Sequence, residues 1–315
     1  MMQFIKEGVV IPFMKIKLVV ELLCFGLVVA SIVSMCVKGL NWGLDFTGGV
    51  VVETEFTHAV DLETVRQAYL KEGIEGTAQY SGSTKSVMMR VAPKEGLDQQ
   101  TVTNKVFNAS KSIDPEVKLA RSEYVGPAVG EELVESGILA IVVSLIAILA
   151  YIAFRFEWRM ATGAVISLAY DVIVVMGVFS FFQIEYDLTV LAAVLTVVGY
   201  SLNDKIVVFD RIRENAVKLP RGVEMQRLFD ISLTQTLSRT IITSGTTLIT
   251  VVSLMIFGGP MIYGFSLALF VGIVFGTATS IYVASTWTLL LGITRAQLAP
   301  RKVVKQETDV VETMD

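Results

Sequence analysis

The sequence predicts a polytopic α-helical membrane protein, with six transmembrane helices and a ferredoxin-like α+β extracytoplasmic domain between the first two. Three observations predict it. Apolar residues fill 53% of the 315 positions and charged ones only 18%, where a soluble domain carries about a quarter charged. The apolar residues gather into blocks near 18–37, 137–154, 162–182, 188–209, 240–258 and 262–292, each near or beyond the roughly 20 residues that cross hydrocarbon about 30 Å thick. The last block is long enough to tilt or to begin before the bilayer does. Finally, lysine and arginine alternate between successive loops.

That alternation sets the topology, because positive charge orients loops toward the cytoplasm. Outside segment 38–136 the basic residues lie before the first span, at Arg155 and Arg159, from Lys205 through Arg239, and from Arg295 to Lys305. The turns at 183–187 and 258–261 hold none. Both termini are therefore expected in the cytoplasm. The first span follows Lys6, Lys15 and Lys17, as a signal peptide would. Its apolar run exceeds the usual signal core and no small-residue cleavage box follows, so a retained anchor is expected.

Residues 1–37 are thus read as a cytoplasmic N-terminus with helix one, and 38–136 as the extracytoplasmic domain. Its segments alternate as strand 48–56, helix 61–73 capped by Asp61, strands 76–82 and 85–93, helix 98–113 and strand 116–125. Strand–helix–strand–strand–helix–strand is the ferredoxin-like order. Residues 137–209 hold helices two to four. Segment 210–236, broken at Pro220, Arg221 and Gly222, is expected to form a cytoplasmic helical hairpin near the membrane surface. Residues 237–294 hold helices five and six, and 295–315 a cytoplasmic tail.

Several function classes lack their chemistry. There is no G-x-x-x-x-G-K-[ST] phosphate loop and no H-E-x-x-H, and His58 is the single histidine, so no catalytic or metal residues are assigned and the chain is read as no enzyme. The membrane aspartates lack the G-x-G-D context of intramembrane proteases. Cys24 and Cys36 both fall in the first span and read as packing or lipid-facing residues. No basic run suggests nucleic acid.

The residues that stand out are those a lipid-solvated helix should not carry. A carboxylate near a helix centre costs about 2.5–3.5 kcal/mol on insertion scales. Asp171 sits mid-span in helix three, and helix four ends with Asn203, Asp204 and Lys205. Helix five opens with Arg239 among Ser238, Thr240, Thr243, Ser244, Thr246 and Thr247. An Asp204–Arg239 ion pair is expected across these antiparallel neighbours. Two readings stand: the charges join helices, with Lys205 and Arg239 snorkelling to the interface, or they form a protonatable or cation-binding relay. A charge crossing the membrane field carries about 2.3 kcal/mol per 100 mV, enough to bias a switch. Glu21 reads as interfacial. In helix six Ala268, Gly272, Gly276, Ser280 and Ala284 recur every four residues, a spacing that lets backbones approach. Asp45, Thr47, Gly48 and Gly49 read as the turn that starts the first strand of the domain, with Gly48 and Gly49 as a hinge to helix one.

Three stretches then carry a family resemblance: GLDFTGGVVVE (43–53), TVVGYSLNDKIVVFDRIREN (196–215) and SLTQTLSRTIITSGTTLI (232–249), continued by 257–285. The sequence resembles the SecD/SecF family of bacterial protein-export membrane subunits, within the resistance–nodulation–division superfamily, over about residues 15–295. The resemblance implies a SecD partner of six further helices, the SecYEG channel and SecA motor as associates, and an exported unfolded polypeptide as cargo. It implies a place in the bacterial inner membrane and use of the ion gradient, H⁺ or Na⁺, with no cofactor. By motif it assigns ion coupling to Asp204 and Arg239, and less directly to Asp171 and Asn203. Lys205 departs from the small polar residue that relatives often carry. Competing readings are a small-molecule or lipid exporter of the same superfamily, and a passive assembly factor.

Overall fold

A computed structural model describes residues 9–92, 98–220 and 222–298. Lys6, Pro93, Arg221 and the basic tail up to Lys305, all used in the sequence reading, lie outside the described residues.

Six described helices are long and apolar enough to cross a membrane. The first, α1 (Lys17–Lys38), leads through a two-residue strand β1 (Asn41–Trp42) and a single helical turn α2 (Leu44–Thr47) into the domain. There β2 (Gly49–Glu55), α3 (Leu62–Lys71), β3 (Thr77–Ser81), β4 (Ser83–Val91), α4 (Gln99–Lys111) and β5 (Lys118–Val125) follow in the expected order. The sheet runs β3-β4-β2-β5, every pair antiparallel, which is the ferredoxin-like topology. Asp61 caps α3 by accepting from Thr64 N at 3.0 Å, satisfying an amide that has no partner within the helix.

Alternation decides the two faces of this sheet. Val50 and Val52 on β2, with Val87, Met89 and Val91 on β4, pack with Val65 and Tyr69 of α3 and Val102 and Val106 of α4. Val51 and Met88 point the other way and meet Leu44 of α2. The Gly48–Gly49 turn is built tightly: Gly49 has φ +112°, and a Cβ there would lie 2.3 Å from Val91 O. No side chain fits both constraints.

The membrane bundle comprises α1, α5 (Pro127–Arg155), α6 (Trp158–Phe182), α7 (Leu188–Lys218), α8 (Met225–Phe257) and a sixth span made of α9 (Pro260–Ile281) and α10 (Val283–Leu290), with α11 (Arg295–Leu298) closing the far end. A second short strand, β6 (Glu185–Tyr186), lies in the turn between α6 and α7. The sixth span is interrupted at Tyr282, where sequence gave one continuous stretch. Helices α6, α7 and the α9/α10 span form the interior, and α1, α5 and α8 expose most of their length. The small residues of α9 face α7: a Cβ on Gly272 would lie 2.3 Å from Val197 Cγ2, and one on Gly276 would lie 3.0 Å from Ser201 Oγ. Ser280, also on this stripe, is buried and donates to Thr277 O at 2.9 Å.

The two helical arms expected at 210–236 are continuous with the span helices. Helix α7 runs on to Lys218 and α8 begins at Met225, so the two span helices themselves extend beyond the apolar blocks, and between them Val223 N donates to Pro220 O at 3.2 Å. The chain holds no glycine or proline between Gly199 and Pro220, so nothing ends the helix there. The extensions are tied by Asn215 Nδ2 donating to Ser232 Oγ and Gln235 Oε1, both at 2.8 Å.

Candidate functional site

The polar residues of the interior separate into two clusters because consecutive residues on a helix point about 100° apart. On α7, Lys205 turns toward α6 and Asp204 toward α8.

In the first cluster Asp171 of α6 and Lys205 are both completely buried and pair at 3.0 Å. The same Oδ2 accepts from Ser201 Oγ at 2.5 Å, and Oδ1 accepts from Thr279 Oγ1 at 2.5 Å. Lys205 Nζ also contacts Ser201 Oγ, one turn earlier on α7. Three helices thus hold one ion pair, with both carboxylate oxygens hydrogen-bonded. Gly276 makes the approach of α9 close, since a Cβ there would stand 3.6 Å from Asp171 Oδ2.

In the second cluster Asp204 is 4% exposed. Its carboxylate faces the Ser244 hydroxyl of α8, with the charges of Lys205 and Arg239 nearby. Ser244 in turn shares a hydrogen bond with Thr277 of α9 at 3.0 Å, and Tyr200 donates to Thr247 at 3.3 Å. The ion pair expected between Asp204 and Arg239 is not formed among the described residues. Arg239 is exposed on the outer face of α8, as is Asn203 on α7, and the Asp204 carboxylate faces inward. Lys205 does not snorkel either; its ammonium is held in the interior by Asp171.

Sequence reasoning missed the Asp171–Lys205 pair and its two hydroxyl partners. One signal was present: Lys205 follows Ser201 by one turn and precedes the apolar run IVVF, poor surroundings for an interfacial lysine. Glu21, read as interfacial, is held by side chains of α6 and α10. Its Oε1 accepts from Trp287 Nε1 at 2.9 Å and lies 3.5 Å from the Tyr170 hydroxyl, and its Oε2 is buried without a partner. Among the described residues no group of three His, Cys, Asp or Glu side chains gathers to hold a metal.

The glycine motif proves to touch the helix that carries both clusters. Asp45 accepts from Leu188 N, the first residue of α7, at 3.0 Å. Gly43 N donates to Tyr186 O at 2.8 Å, and β1 pairs with β6 in parallel, Asn41 opposite Glu185 and Trp42 opposite Tyr186. From the domain sheet, Arg90 of β4 binds Glu185 at 2.6 Å and reaches Trp42 O. Burial pushes the Glu185 carboxyl above its ordinary range, against the lowering effect of Arg90.

Comparison with known proteins places this geometry. The family described as "Protein export membrane protein SecD/SecF, C-terminal" matches residues 105–294, and the "SecD/SecF GG Motif" matches residues 33–60. The chain is 50% identical over 314 residues to the protein translocase subunit SecF of Vibrio alginolyticus, covering 99% of each. It is 48% identical over 290 residues to that of Escherichia coli O157:H7, covering 90% of this chain and 88% of the other. Among solved structures it is similar to SecDF of Thermus thermophilus, titled a translocon-associated membrane protein, with a TM-score of 0.80 and 35% identity, covering 90% of this chain and 39% of that one. A structure of SecDF in a super-membrane-facing form gives a TM-score of 0.68 at 34% identity, covering 92% of this chain and 40% of the other.

Proposed function

The chain belongs to the SecD/SecF family of protein-export membrane proteins, and from that premise we propose that it couples movement of a cation through its bundle to late steps of polypeptide translocation. It is a membrane-embedded subunit of the protein translocase, and SecD is its partner. In the fuller reading it sits in the bacterial inner membrane with both termini in the cytoplasm, and the pair assists the SecYEG channel and SecA motor on an unfolded exported chain.

The observation that carries the reading is the contrast around α7. Asp171 is neutralised in place by Lys205, whereas Asp204 is buried with one hydroxyl partner and no ion pair. A carboxylate in that position changes its charge balance when it takes or releases a cation, and each charge moved through the field supplies about 2.3 kcal/mol per 100 mV. No nucleotide is required for that work. The coupling ion is H⁺ or Na⁺.

The partner completes the site. Ala192, Thr196, Gly199 and Asn203 form a small and polar exposed stripe on α7, beside exposed Arg239, Thr246 and Thr250 on α8. Small residues on an exposed membrane face allow close helix approach. SecD helices seated there would enclose Asn203 and Arg239 next to Asp204, and close the route from the ion to solvent.

The test replaces Asp204 with Asn and Arg239 with Met separately, co-expresses each with SecD, and measures precursor export in membrane vesicles with the gradient present and collapsed. Loss of only the gradient-dependent part supports the reading, and replacing Na⁺ by K⁺ in the same assay identifies the ion. Export equal to the parent in both variants refutes it.

A further inference from the structure

The extracytoplasmic domain is bound to the end of α7, the helix that carries the ion-responsive residues. Its root contributes three separate ties to the α6–α7 turn, and its sheet a fourth. Asp45 accepts from the first amide of α7 at 3.0 Å. Gly43 N donates to Tyr186 O at 2.8 Å, with β1 and β6 paired around that bond. Asn41 Nδ2 donates both to Gln183 O at 3.0 Å and to Gln79 Oε1 of β3 at 3.2 Å, so the turn, the root and the sheet share one side chain. Arg90 of β4 joins Glu185 at 2.6 Å and Trp42 O. Close approach is built in, since a Cβ on Gly43 would lie 2.9 Å from Asp187 Cα. Trp42 stacks edge-on with both Phe46 and Tyr186, at 5.6 and 5.7 Å.

Asp204 lies sixteen residues along α7 from Leu188, about 24 Å at 1.5 Å per residue. An unbroken helix transmits a shift or rotation over that distance with little loss. Its interior neighbours at the Asp171–Lys205 pair give it discrete packing, and packed interfaces switch between arrangements rather than deform smoothly.

We infer that Asp45, Arg90 and Glu185 are positioning residues of a mechanical linkage that carries motion of α7 into the extracytoplasmic domain. The linkage acts by staying closed: the domain follows the end of the helix. The inference rests on the proposed ion coupling, and its failure has a different signature. If the linkage is cut, ions still move and the domain no longer responds.

The experiment uses the full chain with SecD in membrane vesicles and reads precursor export and gradient-driven ion flux in the same preparation. Arg90→Glu sets two carboxylates against each other, Glu185→Arg sets two guanidinium groups together, and Asp45→Ala removes the acceptor of the first α7 amide. Each is expected to lower gradient-dependent export by about fivefold or more, the lower edge of ordinary coupling between sites, with ion flux close to the parent. The combined exchange Arg90→Glu with Glu185→Arg restores the opposite charges and recovers export, which excludes simple misfolding. Parental export in the three single variants overturns the inference, as does failure of the double exchange to exceed both of its single variants. Asp204→Asn runs beside them. If it too exports normally, the ion-coupling reading has fallen; if it alone fails, only the linkage is wrong.

Discussion

Asp171 and Asp204 stand on neighbouring helices of one bundle, both buried, in opposite circumstances. Asp171 has an ammonium at 3.0 Å and hydroxyls at 2.5 Å on each oxygen. Asp204 has a serine hydroxyl, and its two cationic neighbours make no ion pair with it. Burial alone therefore does not distinguish the group proposed to exchange a cation. A buried carboxylate with a resident counter-charge is a structural joint, because removing either partner strands the other in low dielectric. One without a resident counter-charge has room in its electrostatics for a cation that comes and goes.

The largest expected effect breaks the joint. Lys205→Met leaves Asp171 without its ammonium at 0% exposure, and breaking a buried pair by removing one member costs about 3–5 kcal/mol. Thermal unfolding of the purified subunit in detergent should show a drop of several degrees. Asp171→Asn combined with Lys205→Met removes both charges and should recover most of that loss. A single variant as stable as the parent would mean that the pair is not what holds α6 to α7.

Asp204→Asn comes next and separates function from stability. The amide occupies the same volume and can still bond Ser244, so stability should change by no more than about 1 kcal/mol, the net worth of a hydrogen bond. Gradient-dependent export should disappear. An unfolding temperature lowered as far as in Lys205→Met would erase the distinction between the two aspartates.

Arg239 gives a smaller effect, because it acts on Asp204 through space from an exposed position. Arg239→Met should reduce gradient-dependent export several-fold, and Arg239→Lys should keep most of it. If lysine fails as completely as methionine, guanidinium geometry matters and a direct partner contact replaces the electrostatic account.

These contrasts bear on how far the molecule could be read from its sequence. The six spans and the domain order were legible because both rest on local periodicity: long apolar blocks in one case, alternating strands with capped helices in the other. Asp171 and Asp204 were legible as anomalies, since each violates the composition of its own helix. Their pairing was not. Which of two adjacent residues faces which neighbour depends on helix rotation, so Asp204 was paired with Arg239 and Lys205 was read as snorkelling, when Lys205 is the residue that turns to Asp171. The role of Asp45 was hidden for another reason. Its partner Leu188 lies 143 residues away, and a backbone amide leaves no trace in composition. That the helical arms at 210–236 continue the spans was not legible, because charge was taken as the end of a span helix, when charge ends only the membrane-buried part of it.

Glu185 sharpens the comparison from outside the bundle, with the smallest effect. It has a resident counter-charge, as Asp171 does, yet burial still holds its carboxyl above the ordinary range, so the pair with Arg90 does not fully offset desolvation. A carboxyl raised in the docked state takes up a proton more readily there than when the domain is free. Protonation therefore favours docking: the gain is complete below the ordinary carboxylate value of 4.5 and is lost as pH rises through the raised one. Acidifying the domain side should tighten the contact between domain and α6–α7 turn, measured as a shortened distance between spin labels on α4 and on the turn at 183. Glu185→Gln should remove that pH response and stay docked at neutral pH. A contact that loosens on acidification would show that the Arg90 ion pair outweighs burial, and would place Glu185 with Asp171 as a joint that depends on charge.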